Sequence, residues 1–576
     1  MILSPPERIA QMRAAGVWPD LRFGDLLRKN ASSQPLREAV VDPPNRPEVT
    51  GSAARRILWG ELHQAVDRLA GWLTHHGIEA DQVVLMQMAN TWEQLAVYLA
   101  CFEIGAIVSP VPALYREHEL GLIARHTDAV AFVTNGRIGA TDHLALAARV
   151  AGECPTLRTL IVAGPAHRAD EPTRSAAPRI IALDAMLAHD PPAQAITAKR
   201  QPPGADDVVT IVWTSGSEGR PKGVPRSHAQ WLASLHTIAD ACRMTDGIRL
   251  LSARPLVTHG AMHGTIMPWL SRCGTAVLHQ PFSLELYARQ LREESIGFTS
   301  IAPAILVSLL SRPELLEGVD FKRLATIGSG SAPLSPAVIE EFERRTGAKI
   351  VNFFGSTEGV SLASTPQDVP DPAQRATRFP RLGAEGYQWD YPLVPGLQTR
   401  LVDPASEQPI VTRGVPGELR IRGPVVFDGY FRDPELSARA FDDAGYYRSG
   451  DLFELAGERC EYFRYVGRIK DIIVRGGFNV SAVEVESLVA AYPGVKEVGV
   501  VGVPDPRLGE RVCAFVAMRP GQAAPTLEML TRFMRDEQHV SKLKLPERLE
   551  IVEALPRNAN TKIDKARLRA LLDGVG

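Results

Sequence analysis

The chain of 576 residues is poor in cysteine, with six residues at positions 101, 154, 242, 273, 460 and 513. No CxxC pair and no Cys/His ligand spacing occurs among them, which argues against a disulfide framework and against a structural zinc site. Long apolar runs are also missing: no uncharged stretch reaches about 18 residues, so stable membrane insertion is not expected. The opening MILSPPERIAQMRAAG has no apolar core of the kind a secretion signal needs. Neither charge sign dominates, because 64 Lys and Arg stand against 66 Asp and Glu, a net charge of -2. Without a basic surplus, nucleic acid is a poor partner. Together these absences point to a soluble protein of a reducing compartment, the cytoplasm.

What is present is an ordinary globular composition, 45% apolar and 23% charged. The length exceeds what one hydrophobic core supports and calls for roughly three or four structural units. Glycine and proline are plentiful, at 47 and 44 residues. They are dispersed, so they punctuate ordered segments and do not form a linker. Trp59 to Gly77 has helical periodicity, Gln82 to Met88 reads as a buried strand, and Trp92 to Ile104 as an apolar helix. The strand-like runs Ile107 to Val111 and Ala129 to Thr134 continue an alternation that predicts parallel sheets covered by helices. From about 386 to 440 the pattern turns β-rich, consistent with a small barrel or distorted sheet. A boundary falls near Lys470, giving an N-terminal part of 1–469 and a small α+β part of 470–576. In the latter, Ser481 to Ala491 and Thr526 to Glu537 read as helices, and Lys496 to Val503 and Arg511 to Met518 as strands. No Gly/Ser tether joins the two parts, so they are expected to touch and to move about a short hinge.

The strongest local signal is VVTIVWTSGSEGRPKGVPRSH, Val208 to His228. A buried strand leads into Thr214, Ser215, Gly216, Ser217, Glu218, Gly219, Arg220, Pro221, Lys222 and Gly223, with a helix expected to follow. Small residues let backbone N–H groups approach an anion, hydroxyls add donors and Lys222 adds a cation, a combination suited to a polyphosphate. The loop is not a Walker motif. It resembles the phosphate loop of the ANL superfamily of adenylate-forming enzymes. The resemblance recurs in register at Asn352-Phe353-Phe354-Gly355-Ser356-Thr357-Glu358, Tyr447-Arg448-Ser449-Gly450-Asp451, Gly467-Arg468-Ile469-Lys470-Asp471 with Arg475-Gly476-Gly477-Phe478, and Pro556-Arg557-Asn558 with Lys562.

The resemblance implies a fold and a set of roles. The fold would be α/β, with a large N-terminal domain of two stacked α/β subdomains plus a small β-barrel, and a mobile C-terminal domain. ATP would lie against Thr214, Ser215, Gly216, Ser217, Gly219, Lys222, Asn352 to Gly355, Asp451 and Arg468. Ser329-Gly330-Ser331-Ala332-Pro333 resembles the adenine-side loop, and Phe354 would stack on the base. Asp451 would accept from both ribose hydroxyls, a task suited to a carboxylate with two oxygens. Thr357 would donate to the α-phosphate, and Glu358 suits a Mg²⁺ ligand. Lys562 would offset the charge that develops when a carboxylate attacks the α-phosphate. Lys470 would be the hinge, and Gly476 with Gly477 would line the channel of a coenzyme A arm, where a missing Cβ lets backbone sit close.

The implied reaction is acid activation to an acyl-AMP, then transfer to the thiol of CoA, or alternatively to a carrier-protein thiol. A nucleotide-binding homologue without turnover is the further alternative. Three departures from the family pattern stand out: Glu218 in the phosphate loop, Thr561 before the lysine, and Asp390-Tyr391-Pro392. The acyl pocket is placed at Pro255 to Gly264 with Ser329 and Gly330; His259 borders it, and Gly260 and Gly264 leave volume. No Asp stands where an α-ammonium would be held, so a hydrophobic acid, alicyclic, aromatic or medium-chain, is expected. The nearest likeness is to cyclohexanecarboxylate-type ligases. A homodimer and a lysine acetyltransferase acting on Lys562 are the remaining partner expectations.

Overall fold

The computed structural model describes residues 1–165, 178–192, 203–215, 221–382, 384, 386, 387, 389, 396–475, 478–558 and 562–573. Two mainly parallel sheets make the body. Among the described residues, one has eight strands in the order Ser361–Ser364, Lys349–Gly355, Thr326–Gly330, Phe298–Ile301, Arg249–Ser252, Thr275–Leu278, Glu38–Val41 and Arg56–Leu58. Its two outer strands are antiparallel and the rest parallel. The other has seven, in the order Pro221–Ser227, Val208–Ser215, Ile107–Pro110, Val83–Gln87, Ala131–Asn135, Thr159–Ala163 and Arg179–Ala182. Here only the Pro221–Ser227 edge runs antiparallel.

Side chains alternate between faces along each strand, so one strand feeds two cores. Val84 and Met86 enter a large core shared with Leu250, Ala276 and Phe298 of the other sheet, whereas Val83 and Leu85 face a separate cluster. Leu251, Val277 and Ile327 line a third core on the far side of the eight-stranded sheet. The helices Phe23–Ser33, Trp59–His75 and Trp92–Ile104 contribute to the shared core, which places them between the sheets. Trp92–Ile104 is buried on nearly every side, which explains why its sequence is apolar without a polar stripe. Trp59 and Trp269 stack at 4.9 Å, and the Trp269 indole donates to the Ala39 carbonyl, joining helix to helix and both to the sheet.

A five-stranded antiparallel sheet follows, in the order Arg378–Pro380, Tyr462–Arg468, Tyr447–Ala456, Gly417–Arg422 and Gln398–Val402. It is the β-rich unit expected from the sequence, extended on both sides. Beyond residue 470 a smaller sheet pairs Phe478–Ser481, Ile472–Arg475, Gly509–Met518 and Val495–Asp505, with Arg548–Ile551 parallel to Gly509–Met518. Its two cores draw on Ile473, Val485, Val500, Leu530, Phe515 and Leu568, and none of their buried residues precedes Ile473. Ser481 caps the helix Ala482–Ala490 by accepting from the Glu484 amide.

One expectation fails. No helix directly follows the phosphate loop; the chain returns as the strand Pro221–Ser227, with Thr214 opposite Lys222, and the helix His228–Leu232 starts only afterwards. Pro221 and Pro225 explain this: proline lacks an N–H and breaks a helix interior but is tolerated on an edge strand. The described strands on either side of the loop thus pair as the two arms of a hairpin. Trp59→Ala is expected to lower stability by about 3–5 kcal/mol through the cavity it leaves between the sheets. A urea titration checks this, and a loss under about 1 kcal/mol would contradict the packing argument.

Candidate active site

Parallel strands deliver their following loops to one edge, the usual place for a site in such sheets. At this edge stand Arg254 after Arg249–Ser252, Ser331 after Thr326–Gly330, and Thr357 with Glu358 after Lys349–Gly355. A Cβ on Gly330 would come within 2.3 Å of the Phe353 carbonyl oxygen, so only glycine lets those neighbouring strands end as they do. Ser331 takes a left-handed φ of 74°, and Ser331, Ala332 and Pro333 are exposed along the rim. Phe354 is half-buried, its inner face packed on Phe453, Phe379 and Tyr465 at 5.0, 5.9 and 5.1 Å.

Glu358 is buried, and its Oε1 accepts from the Tyr430 hydroxyl at 3.1 Å. Lys222 Nζ lies 5.4 Å from the centre of the same Tyr430 ring, which brings the hairpin and the Glu358 turn together. Arg226, fully buried, donates from Nη2 to the Thr357 carbonyl at 2.7 Å and from Nη1 to the Val425 carbonyl. It fixes the backbone that carries Thr357.

The antiparallel sheet supplies Asp451 and Arg468, register partners on adjacent strands. Arg468 Nε donates to Asp451 Oδ1 at 2.9 Å. Burial lifts the Asp451 carboxyl to about 6, against the pull of Arg468 and Lys562. Lys562 comes from the small C-terminal part. Its loop is closed by Asn558 N to the Lys562 carbonyl at 2.9 Å and Lys562 N to Asn558 Oδ1 at 3.1 Å. The side chain keeps solvent exposure at the mouth of the cleft, yet the crowding of protein around it holds its ammonium below the ordinary lysine value. The charges of Arg468 and Arg254 push the same way, while those of Asp451 and Glu358 pull back. One lysine therefore senses the antiparallel sheet and the eight-stranded sheet together.

The acyl region holds His259 and His263, 4.5 Å apart and packed on Trp231 at 5.2 and 5.3 Å. Burial keeps both imidazoles neutral, His263 being driven down to about 3. His259 Nδ1 is sealed from solvent without a hydrogen-bond partner.

Residues 27–431 match the family described as AMP-binding enzyme, and 484–562 match the AMP-binding enzyme C-terminal domain. The chain belongs to the AMP-binding enzyme family. It is 30% identical to the medium-chain fatty-acid–CoA ligase of Escherichia coli (strain K12), over 98% of this chain and 92% of that one. It is 31% identical to the 2-hydroxy-7-methoxy-5-methyl-1-naphthoate–CoA ligase of Streptomyces carzinostaticus, over 98% and 96%. The solved structure of ATP-bound MatB from Rhodopseudomonas palustris superposes with a TM-score of 0.78 at 26% identity, covering 96% of this chain and all of that one. The protein is thus an ANL-superfamily enzyme, an AMP-forming acid–thiol ligase by class, with the two-part α/β architecture expected.

In this AMP-binding enzyme Lys562 is electrostatically coupled to Asp451, Arg468, Glu358 and Arg254, Arg254 bonds Ser331, and Tyr430 links Lys222 to Glu358. Two other named side chains have their donors taken up by the fold. Asn352 Nδ2 donates to the Arg375 and Ala376 carbonyls at 3.1 and 2.8 Å, and Ser329 Oγ to the Ile301 carbonyl at 3.0 Å. Gly216, Ser217, Glu218, Gly219, Asp390, Tyr391, Pro392, Gly476, Gly477 and Thr561 lie outside the described residues, as does the Ser215 side chain. Lys470 is exposed in a short 3-10 turn, Ile469–Asp471, directly after Arg468. Tyr430, Arg226 and Arg254 went unnoticed in the sequence. A fully buried arginine in GVPRSH was the one available signal; the other two acquire meaning only through contacts.

Among the described residues no group of three or more His, Cys, Asp and Glu could hold a metal. A lone carboxylate, Glu358, still fits Mg²⁺, which takes most of its ligands from phosphates and water. Asp451 sets the expected pH response. Its folded value lies above the ordinary one, so it is protonated as pH falls through about 6, and any hydroxyl it accepts from, as the resemblance implies for ribose, would then lose a charged acceptor. AMP affinity measured calorimetrically should fall below pH 6 in the wild type. In Asp451→Asn it should be weak and flat across that range; an equal acid limb in the variant would remove Asp451 as the cause.

Proposed function

We propose that the protein is an ATP- and Mg²⁺-dependent acyl-CoA synthetase for a carboxylic acid of alicyclic, aromatic or medium-chain type. The observation that carries this reading is the position of Lys562, electrostatically coupled to Asp451, Arg468 and Glu358 although it comes from a separate core. That is the arrangement the first half-reaction needs. A carboxylate oxygen attacks the α-phosphorus of ATP, the bond to the bridging oxygen breaks, and pyrophosphate leaves. Both reactants are anions, so a cation fixed at their meeting point stabilises the transition state. Asp451 with Arg468 holds the ribose, Thr357 donates to the α-phosphate, and Thr214 and Lys222 with the hairpin loop receive the outer phosphates. Mg²⁺ held by Glu358 would neutralise phosphate charge.

In the second half-reaction a CoA thiolate attacks the acyl carbonyl and AMP departs. Lys562 has no role there, and the part from residue 470 onward turns about Lys470 to withdraw it. The neutral pair His259 and His263 supports an uncharged acyl body, since neither ring asks for an anion. ATP and CoA are both pools of the cell interior, which places the reaction in the cytoplasm.

The acid is found by assaying thioester formation with octanoate, benzoate, cyclohexanecarboxylate and salicylate, with free CoA and with a holo carrier protein in parallel. Thioester on the carrier alone would overturn CoA as acceptor, and no pyrophosphate exchange with any acid would overturn the synthetase reading. Lys562→Ala should reduce acid-dependent ATP–pyrophosphate exchange by about 100-fold or more, the scale of losing a fixed transition-state charge. The same variant should retain thioester formation from supplied acyl-AMP, and equal loss in both steps would sink the assigned role.

A further inference from the structure

Several buried arginines in this protein pair with carboxylates. Arg46 pairs with Asp42 and Glu93, Arg375 with Glu343, and Arg420 with Glu418 at 2.9 Å. Arg226, which has no ion pair, is held by two backbone carbonyls. Arg254, half-buried, shares with Arg226 the lack of an ion pair but donates to a side-chain hydroxyl and not to backbone. Its Nη1 donates to Ser331 Oγ at 2.8 Å, and among the described residues no carboxylate pairs with it. Burial draws its guanidinium down to about 10, the mark of a cation lacking compensation.

The surroundings say what would compensate it. A Cβ built on Gly260 would stand 3.7 Å from Arg254 Nη1, which puts the guanidinium beside the segment assigned to the acyl pocket. On its other side Arg254 bears on Lys562, whose charge it opposes. Two cations that oppose each other in this way favour an anion that interacts with both. The nucleotide phosphates are received from the hairpin and the Glu358 turn, on the side of Tyr430. The anion left to enter between the acyl region and Lys562 is the carboxylate of the acid itself.

We propose that Arg254, steadied by Ser331, binds the reacting carboxylate and presents one of its oxygens to the α-phosphorus. The step balances without a proton: the oxygen–phosphorus bond forms, the bridging bond to pyrophosphate breaks, and the acyl-AMP carries no carboxylate. Arg254 therefore acts in the first half-reaction and is idle in the second. This rests on the synthetase reading above.

The test uses the full-length enzyme and the acids octanoate, benzoate, cyclohexanecarboxylate and salicylate. Arg254→Met should raise KM for every acid about 10- to 100-fold, the scale of removing a charged hydrogen-bonding partner. KM for ATP and the rate of thioester formation from supplied acyl-AMP should stay at wild-type values, and Arg254→Lys should recover part of the loss. A deficit confined to salicylate would overturn the proposal in favour of recognition of a substituent. Equal loss in both half-reactions with a lowered Tm would overturn it in favour of a structural role, as would an unchanged KM. Silence of the wild type with every acid would instead overturn the synthetase reading and this inference with it, so the two failures are told apart.

Discussion

The Asp451–Arg468 pair is the contact on which the rest of the site depends. It ties adjacent strands of the antiparallel sheet at their edge, and the chain passes directly from Arg468 into the turn Ile469–Asp471 and on to the small C-terminal part. Lys562 then returns to the same pair from the far end of the chain. A buried carboxylate lifted to about 6 is costly to keep ionised, and Arg468 and Lys562 are what keep it so. Removing either cation would change the nucleotide contact and the position of the C-terminal part together, because both meet at this carboxylate.

Much of the architecture was legible because its signals are local. The helix Trp92–Ile104 appears where its apolar periodicity put it, and the switch to β-rich text near 386 became the antiparallel sheet. Asp451, Arg468, Glu358 and Lys562 were singled out by motif register, which carries position without carrying contacts; the structure adds their electrostatic coupling. The failure at Pro221–Ser227 is instructive: a phosphate loop after a buried strand invites the expectation of a following helix, yet Pro221 and Pro225 already spoke for an edge strand. Arg254 could not be found from the sequence, because nothing in ARPLVTH distinguishes an arginine paired with a carboxylate from one left unpaired. That difference exists only once Ser331 and Gly260 are brought beside it.

The near-zero net charge of -2 now has a local explanation. Most arginines here are neutralised by partners: Arg420 alone touches Glu407, Glu418 and Asp442. Lys222, Arg254 and Lys562 form no ion pair among the described residues. All three face the cleft, where Lys222 leans on an aromatic ring and Arg254 on a hydroxyl. A protein can present a strongly cationic cleft while remaining neutral overall, provided that the cations elsewhere are cancelled in pairs. Such a field acts over short distances and is little screened inside the cleft.

That local excess bears on how the C-terminal part is held. Arg468 and Arg254 oppose the charge on Lys562, and Asp451 and Glu358 attract it. Phosphate and carboxylate entering the cleft would add attraction on one side only, favouring the arrangement with Lys562 inside. Once pyrophosphate and the free carboxylate are gone, the attraction weakens and the opposition of the two arginines remains. A ligand shifts such an equilibrium only by its differential affinity for the two arrangements. Here that difference arises from the same charges that serve the chemistry. The separate core beyond Ile473 lets the part respond as a unit without disturbing the packing of the body.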